Sequence, residues 1–357
     1  MGDADTRGPQ EFEKVLGASA RDVASFHEDR GLIYRMQHAL HANPAFVPLI
    51  VLILSVALFG VLLGSRFFSP FTMTLILQQV AITGIVGAAQ TLVILTAGIE
   101  LSVGAIMVLS SVVMGQFVFH YGMPAPVAVL AGFACGAACG AINGWLVAYV
   151  RLPPFIVTLG TWQIFLATNY LYSANETIRS QDIAAQAPLL QVFGANFRMG
   201  GAVLTLGVVA LVVLVVVLAY VLNQTAWGRH VYAIGDDPEA AELSGVQVKK
   251  TIVSVYVLAG LICALGGWVL IGRLGSVSPQ SGQFANIESI TAVVIGGISL
   301  FGGRGSIVGM LFGALIVGVF NLGLRLVGTD PQWTYMLIGM LIIGAVAIDQ
   351  WIRKVSA

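Results

Sequence analysis

Few residues in this chain are of a type and spacing that could do chemistry. Cys135 and Cys139 stand four apart in one apolar run, and Cys263 lies in another. Thiols can hold a metal or cycle between redox states. No CxxC and no Cys/His cluster accompanies these three, so they read as small packing residues on helices. The histidines (His27, His38, His41, His120 and His230) fall in an N-terminal tail, in loops or at the ends of apolar runs. An intramembrane reaction would need a set such as HExxH, a Ser/His pair or paired aspartates at depth, and none occurs. There is also no GxxxxGK[ST] loop, so the chain has no Walker A site for ATP. No catalytic residue, metal ligand or cofactor is assigned.

What remains is hydrogen-bonding chemistry. Gln78, Gln79, Gln90, Thr91, Asn143, Asn169 and Asn321 lie within apolar runs. Their amide and hydroxyl groups could bond a polar solute in transit, or bond across helices as structural glue, and both readings stand for each. Trp162 and Phe165 divide in the same way between stacking on a solute and apolar packing. The carboxylates Glu100 and Glu288 come near the apolar runs, at their expected ends. An ion-coupled carrier places such groups inside the membrane, so an ion-coupled secondary transporter is the alternative reading. An uncharged path suits a neutral solute.

The stretch AWGRHVYAIGDDPEAAELSG, residues 226–245, is of another kind. It follows 22 uncharged residues, Gly201–Leu222, and precedes a second apolar run that starts near Thr251. Asp237 then Pro238 is a helix start: an N-cap acceptor followed by proline at the first helical position. Glu239 suits the positive end of the helix dipole, and Gly245 can close the helix in a left-handed conformation. The spacing predicts a short helix over 238–244. Ala240 and Ala241 keep one surface thin, while Gly228 and Gly235 let the approaching chain bend. Too short and too charged to lie in lipid, this helix is suited to docking into a groove on another protein. An ordinary ordered loop is the alternative.

The elements that must hold these residues are membrane helices. Of 357 residues, 57% are hydrophobic and 10% charged, with zero net charge, against about 25% charged in a soluble domain. A span needs about 20 mostly apolar residues. Ten candidate segments follow: 46–64, 73–96, 101–120, 125–149, 155–174, 201–222, 251–272, 287–301, 306–327 and 332–351. The eighth is short and reads as a half-helix or re-entrant segment. The expected fold is thus an all-α integral membrane protein of about ten transmembrane helices, over residues 45–353, behind a polar cytosolic tail 1–44. The neutral charge balance implies no nucleic-acid partner. With the N-terminus placed in the cytoplasm, Lys and Arg near helix ends divide nine inside to five outside, and both termini are cytosolic. Residues 175–200 then form the longest outer loop, and 223–250 the longest inner one. Gly132, Gly136, Gly140 and Gly144 recur every fourth residue, as do Gly305, Gly309 and Gly313; such faces let backbones approach closely. AGIELSVG (97–104) and GGISLFGG (296–303) hint at an internal repeat, although the two glycine ladders suggest a different pairing.

The stretch GRHVYAIGDDPEAAELSGV resembles the cytosolic coupling loop of bacterial ABC-importer permeases for ribose, xylose, galactose and related sugars. TAGIELSVGA, GAINGWLVAYVRLPPFIVTLGT and VIGGISLFGGRGSIVGMLFGALIVG resemble other stretches of that family, so the likeness runs from about residue 70 to 350. It implies a permease subunit of the inner membrane that translocates a monosaccharide such as fructose or ribose. The implied partners are two ABC ATPase subunits, a second permease copy as a homodimer, and a periplasmic sugar-binding protein. It also implies that Gly228, Arg229, Ala233, Gly235, Ala240, Ala241, Ser244 and Gly245 belong to the coupling loop, with Ala240 and Ala241 pressed into the ATPase cleft. The chain departs from the family at Glu100, where Asp is usual, at Ala97, where Gly is usual, and at Asp236, where Asn is usual.

Overall fold

The computed structural model describes residues 45–199 and 202–356. The tail 1–44, with His27, His38 and His41, lies outside the described residues. The helices are α1 (Phe46–Leu63), α2 (Pro70–Leu95), α3 (Val103–Phe119), α4 (Ala125–Ala148), α5 (Pro154–Tyr172), α6 (Ser180–Gln186), α7 (Leu206–Gln224), α8 (Ala226–Asp236), α9 (Pro238–Leu243), α10 (Val248–Leu274), α11 (Ala285–Ile295), α12 (Ile307–Val327) and α13 (Pro331–Ser356). A hairpin of β1 (Asn196–Met199) and β2 (Ala202–Thr205) precedes α7. Six of these helices, four of them α1, α2, α4 and α7, are long and apolar enough to cross a membrane; α10 and α12 are the others. The apolar helices α3, α11 and Gln332–Gly344 are shorter. The chain is therefore a multi-pass helical membrane protein, and the count of ten spans is not reached on length and composition.

Two segment boundaries differ from expectation. The sixth span starts at Leu206 rather than 201, because Ala202–Thr205 pairs antiparallel with Asn196–Met199. A short apolar run is ambiguous between strand and helix until its pairing partner is known. The eighth is cut shorter than 287–301, since α11 stops at Ile295. Its 11 residues rise roughly 16 Å, about half the hydrocarbon core.

The glycine ladder of α4 is a packing device. At Gly136 an added Cβ would collide with the carbonyl of Gly260 on α10, and at Gly144 it would stand 3.0 Å from the Cα of Val253. In a membrane, where hydrophobic burial drives little helix association, this backbone approach supplies the dispersion contacts. Gly309 and Gly313 meet α11 similarly, at Gly296 and Ala292. Gly305 does not belong to that ladder: it lies before α12, at φ +130.

The stretches that resembled each other in sequence close their helices alike. Gly98 N–H donates to the Val93 carbonyl over 3.1 Å, and Ile298 N–H donates to the Val293 carbonyl over 3.2 Å. The left-handed residue is Ala97 (φ 59) in the first and Gly297 (φ 75) in the second. The structural correspondence is thus 97 with 297, one residue away from the sequence match.

Candidate coupling loop and polar residues of the path

Helices α7 and α10 separate two ends of the molecule. One end carries α6 and the hairpin, tied to the end of α10 by the Ile178–Val277 bridge and by Gln191, whose amide donates to the Gly275 carbonyl over 2.7 Å. Arg179 and Arg198 are exposed there. The other end carries α8 and α9.

Helix α9 starts as its sequence dictates. The Asp237 carboxylate accepts the backbone N–H groups of Glu239 and Ala240 at 2.9 and 3.0 Å, with Pro238 in the first turn. Gly245, at φ +86, ends it. The approach to α9 is not a bending chain, however. Residues 226–236 form α8, capped by the Thr225 hydroxyl on Gly228 N–H. Gly228, Val231, Ile234 and Gly235 make its buried face. Gly228 and Gly235 therefore serve close approach rather than flexibility: a Cβ on Gly228 would strike the Leu222 carbonyl, and one on Gly235 would strike the Leu95 carbonyl and stand 2.5 Å from Gly303 N.

Two aromatic residues that the sequence reading passed over anchor α8. Trp227 donates its indole N–H to the Ser254 hydroxyl at 2.8 Å, and Tyr232 donates its hydroxyl to the Gly305 carbonyl at 2.9 Å. Burial pushes the Tyr232 phenol pKa upward, which keeps it a donor. The amphipathic pattern Trp227, Val231, Ile234 was the available signal.

The free surface of the loop is formed by Arg229, Ala233 and Asp236 from α8, and by Glu239, Ala240, Glu242 and Leu243 from α9, with Ser244 and Gly245 after it. Arg229 has no ion pair or side-chain hydrogen bond among the described residues. Ala240 and Ala241 do not share a face. Ala241 turns inward and is 4% exposed, whereas Leu243 is 90% exposed. Leu243 thus stands as an exposed apolar side chain on a charged loop.

The amides within the helices divide into two groups. Asn143 is buried on α4 and donates to the Glu100 carboxylate at 2.9 Å and to the Ser102 hydroxyl at 3.0 Å. Glu100 also accepts the Ser102 backbone N–H at 2.6 Å and, at 2.5 Å, its hydroxyl. Asn169 is buried and donates to the Pro279 carbonyl at 2.8 Å; Thr91 bonds back to the Gly87 carbonyl at 2.8 Å. Gln90 is buried with no hydrogen-bond partner among the described residues. Phe165 is buried in the main core, with Trp162 packed against it.

Gln78, Gln79 and Asn321 are only half-buried. Gln79 on α2 and Asn321 on α12 converge on Glu288 of α11, at 3.2 and 3.4 Å, and the Thr83 hydroxyl joins them at 3.0 Å. The positive charges of Arg273 and Arg325 act on the same carboxylate. Sequence spacing places Gln79 and Thr83 on one face of α2, but it could not bring α11 to them.

Comparison with known proteins follows the same lines. A family profile described as branched-chain amino acid transport system / permease component matches residues 72–346. The chain is 72% identical to a fructose import permease protein of Rhizobium meliloti, covering 100% of both chains. It is 38% identical to a ribose import permease protein of Bacillus subtilis over 87% of this chain and 92% of that one, and 31% identical to a xylose transport system permease protein of Haemophilus influenzae over 87% and 96%. No solved structure matches. The span of the profile and the full-length likeness together show that the chain belongs to this family of transport-system permeases.

Proposed function

We propose that the chain is the membrane subunit of an ATP-binding-cassette importer that moves a monosaccharide, fructose first among candidates, inward across the bacterial inner membrane. The observation that carries this is the 72% identity to a fructose import permease along the whole chain. The capped and exposed α9 supports the coupling part of the reading, because it offers a free, ordered surface on which a partner can seat. Nothing in the fold or among the relatives favours the ion-coupled carrier.

On this reading α8–α9 faces the cytoplasm and both termini lie there. The ten segments, α11 among them, form one permease domain over residues 45–353, and the matching turns at Ala97 and Gly297 belong to an internal repeat. Two ATPase subunits dock on the loops of two permease copies, and a periplasmic sugar-binding protein meets the end that carries Arg179 and Arg198. Arg229, Ala233, Ala240 and Ser244 belong to the docking surface, with Leu243 added to it. Gly228, Gly235, Ala241 and Gly245 hold its shape. Among the polar groups, Gln78, Gln79 and Asn321 line the path, while Gln90, Thr91, Asn143 and Asn169 act within the helix packing.

The test is uptake. Cells lacking their own fructose uptake are given this chain with its partner ATPase and binding protein. Labelled fructose should accumulate, and a Walker-motif Lys→Ala change in the ATPase should stop it. Accumulation that survives that change would count against the proposal.

A further inference from the structure

We propose that Glu288 is a sugar-binding residue: its carboxylate, held by Gln79, Thr83 and Asn321, accepts hydrogen bonds from hydroxyl groups of the sugar in transit. The inference rests on the reading of the chain as a sugar importer.

The carboxylate is held but not saturated. One oxygen takes the Gln79 amide at 3.2 Å and the Thr83 hydroxyl at 3.0 Å; among the described residues, the other takes only the Asn321 amide at 3.4 Å. Two carboxylate oxygens offer about four acceptor sites, so the second oxygen has room for a stronger donor. All three holders are neutral and can exchange with another hydroxyl without breaking an ion pair. An ionisable group among membrane helices is costly and marks a working site by default.

The depth fits a path rather than a surface. Gln79 is nine residues past the start of α2, and Asn321 is six residues before the end of α12. At 1.5 Å per residue these place the cluster roughly 9 to 14 Å inside the helical bundle. Glu288, Gln79 and Asn321 are each half-buried, so the cluster opens onto a face that the chain leaves uncovered.

A sugar presents a rim of hydroxyls and an apolar C–H face. Phe284 caps α11 one helical turn before Glu288, whose backbone N–H donates to the Phe284 carbonyl at 2.9 Å. The Phe284 ring is 5.7 Å from that of Tyr335, tilted by 39°, and both rings are more than half exposed. Apolar rings beside a few convergent polar groups make up the usual lining of a small-molecule site.

The test uses the complete importer in proteoliposomes with saturating binding protein. Initial uptake of fructose and of its monodeoxy analogues is compared between wild type and Glu288→Gln. The binding protein's own preferences cancel in the ratio of the two for each sugar. Glu288→Gln should slow fructose at least about tenfold. At least one deoxy analogue, lacking the hydroxyl that Glu288 accepts, should be slowed by less than about threefold. Unchanged fructose uptake, or one common factor for every sugar, would overturn the proposal. If Glu288→Gln fails to assemble, Phe284→Leu at its exposed site decides: a loss of at least about threefold restored by Phe284→Trp supports the proposal, and unchanged uptake overturns it. If wild type imports none of these sugars, the importer reading itself fails, an outcome distinct from the others.

Discussion

Gly235 of α8 lies directly on the carbonyl of Leu95, the last residue of α2, and that carbonyl also accepts the N–H of Gly303 at 3.1 Å. Gly302 completes the junction, its Cα beside Ala97 and the Gly235 carbonyl. The loop proposed to meet the ATPase is thus seated, backbone on backbone, where two helix-ending turns meet. On the proposed reading, a push on α9 would pass through α8 to α2 and to the turn between α11 and α12, the helices that hold Gln79, Glu288 and Asn321. Dense packing transmits displacement because it does not compress.

Gly235→Ala should break this seat. The new methyl has no room beside Leu95 and Gly303, and overpacking of this kind costs about 1 to 3 kcal/mol. Gly160→Ala is the control, since a Cβ there meets nothing within 4 Å. Thermal unfolding in detergent should show a clear drop for the first and no drop for the second, where helix propensity favours Ala.

Ala97→Gly should stabilise the chain. Ala97 sits at φ 59, a left-handed conformation that costs an L-residue about 1 to 2 kcal/mol and glycine little. The variant should unfold at a higher temperature than wild type, with uptake retained.

The exposed face of α9 separates docking from folding. Leu243→Arg should leave the unfolding temperature within the small range of surface substitutions, about 0.5 kcal/mol, yet abolish copurification of the ATPase. Ala241→Arg should do something different: it forces a charge into a buried position and should lower thermal stability as well. Equal stability of the two variants would contradict the placement of Ala241.

Asn143→Ala tests whether the buried amides are glue. It removes the Nδ2 donor to Glu100, a residue 1% exposed. An unsatisfied buried acceptor costs about 1 to 3 kcal/mol, more when charged. Unfolding should come earlier, while the ratio of fructose to deoxyfructose uptake stays at the wild-type value.

Local chemistry was legible in the sequence and distant contacts were not. Asp237, Pro238 and Gly245 announced α9 because capping acts between neighbours along the chain. Gly228 and Gly235 were misread as bends, since the carbonyl that Gly235 touches belongs to a residue 140 positions away, Leu95. Leu243 escaped notice because a six-residue helix shows too little periodicity to say which way it points. Residues 202–205 read as membrane span because a short apolar run such as Ala-Val-Leu-Thr serves helix and strand alike until the partner strand is seen. The seven amide and hydroxyl candidates shared one signature in sequence. Burial separated them, and burial is a property of the assembled bundle.

The most direct measurement is labelled fructose uptake into proteoliposomes holding this chain with its partner ATPase, binding protein outside and ATP inside, with and without Leu243→Arg. The account predicts ATP-dependent uptake that survives collapse of proton and sodium gradients and disappears with Leu243→Arg. Uptake by the chain alone, driven by an ion gradient and indifferent to Leu243→Arg, would contradict it.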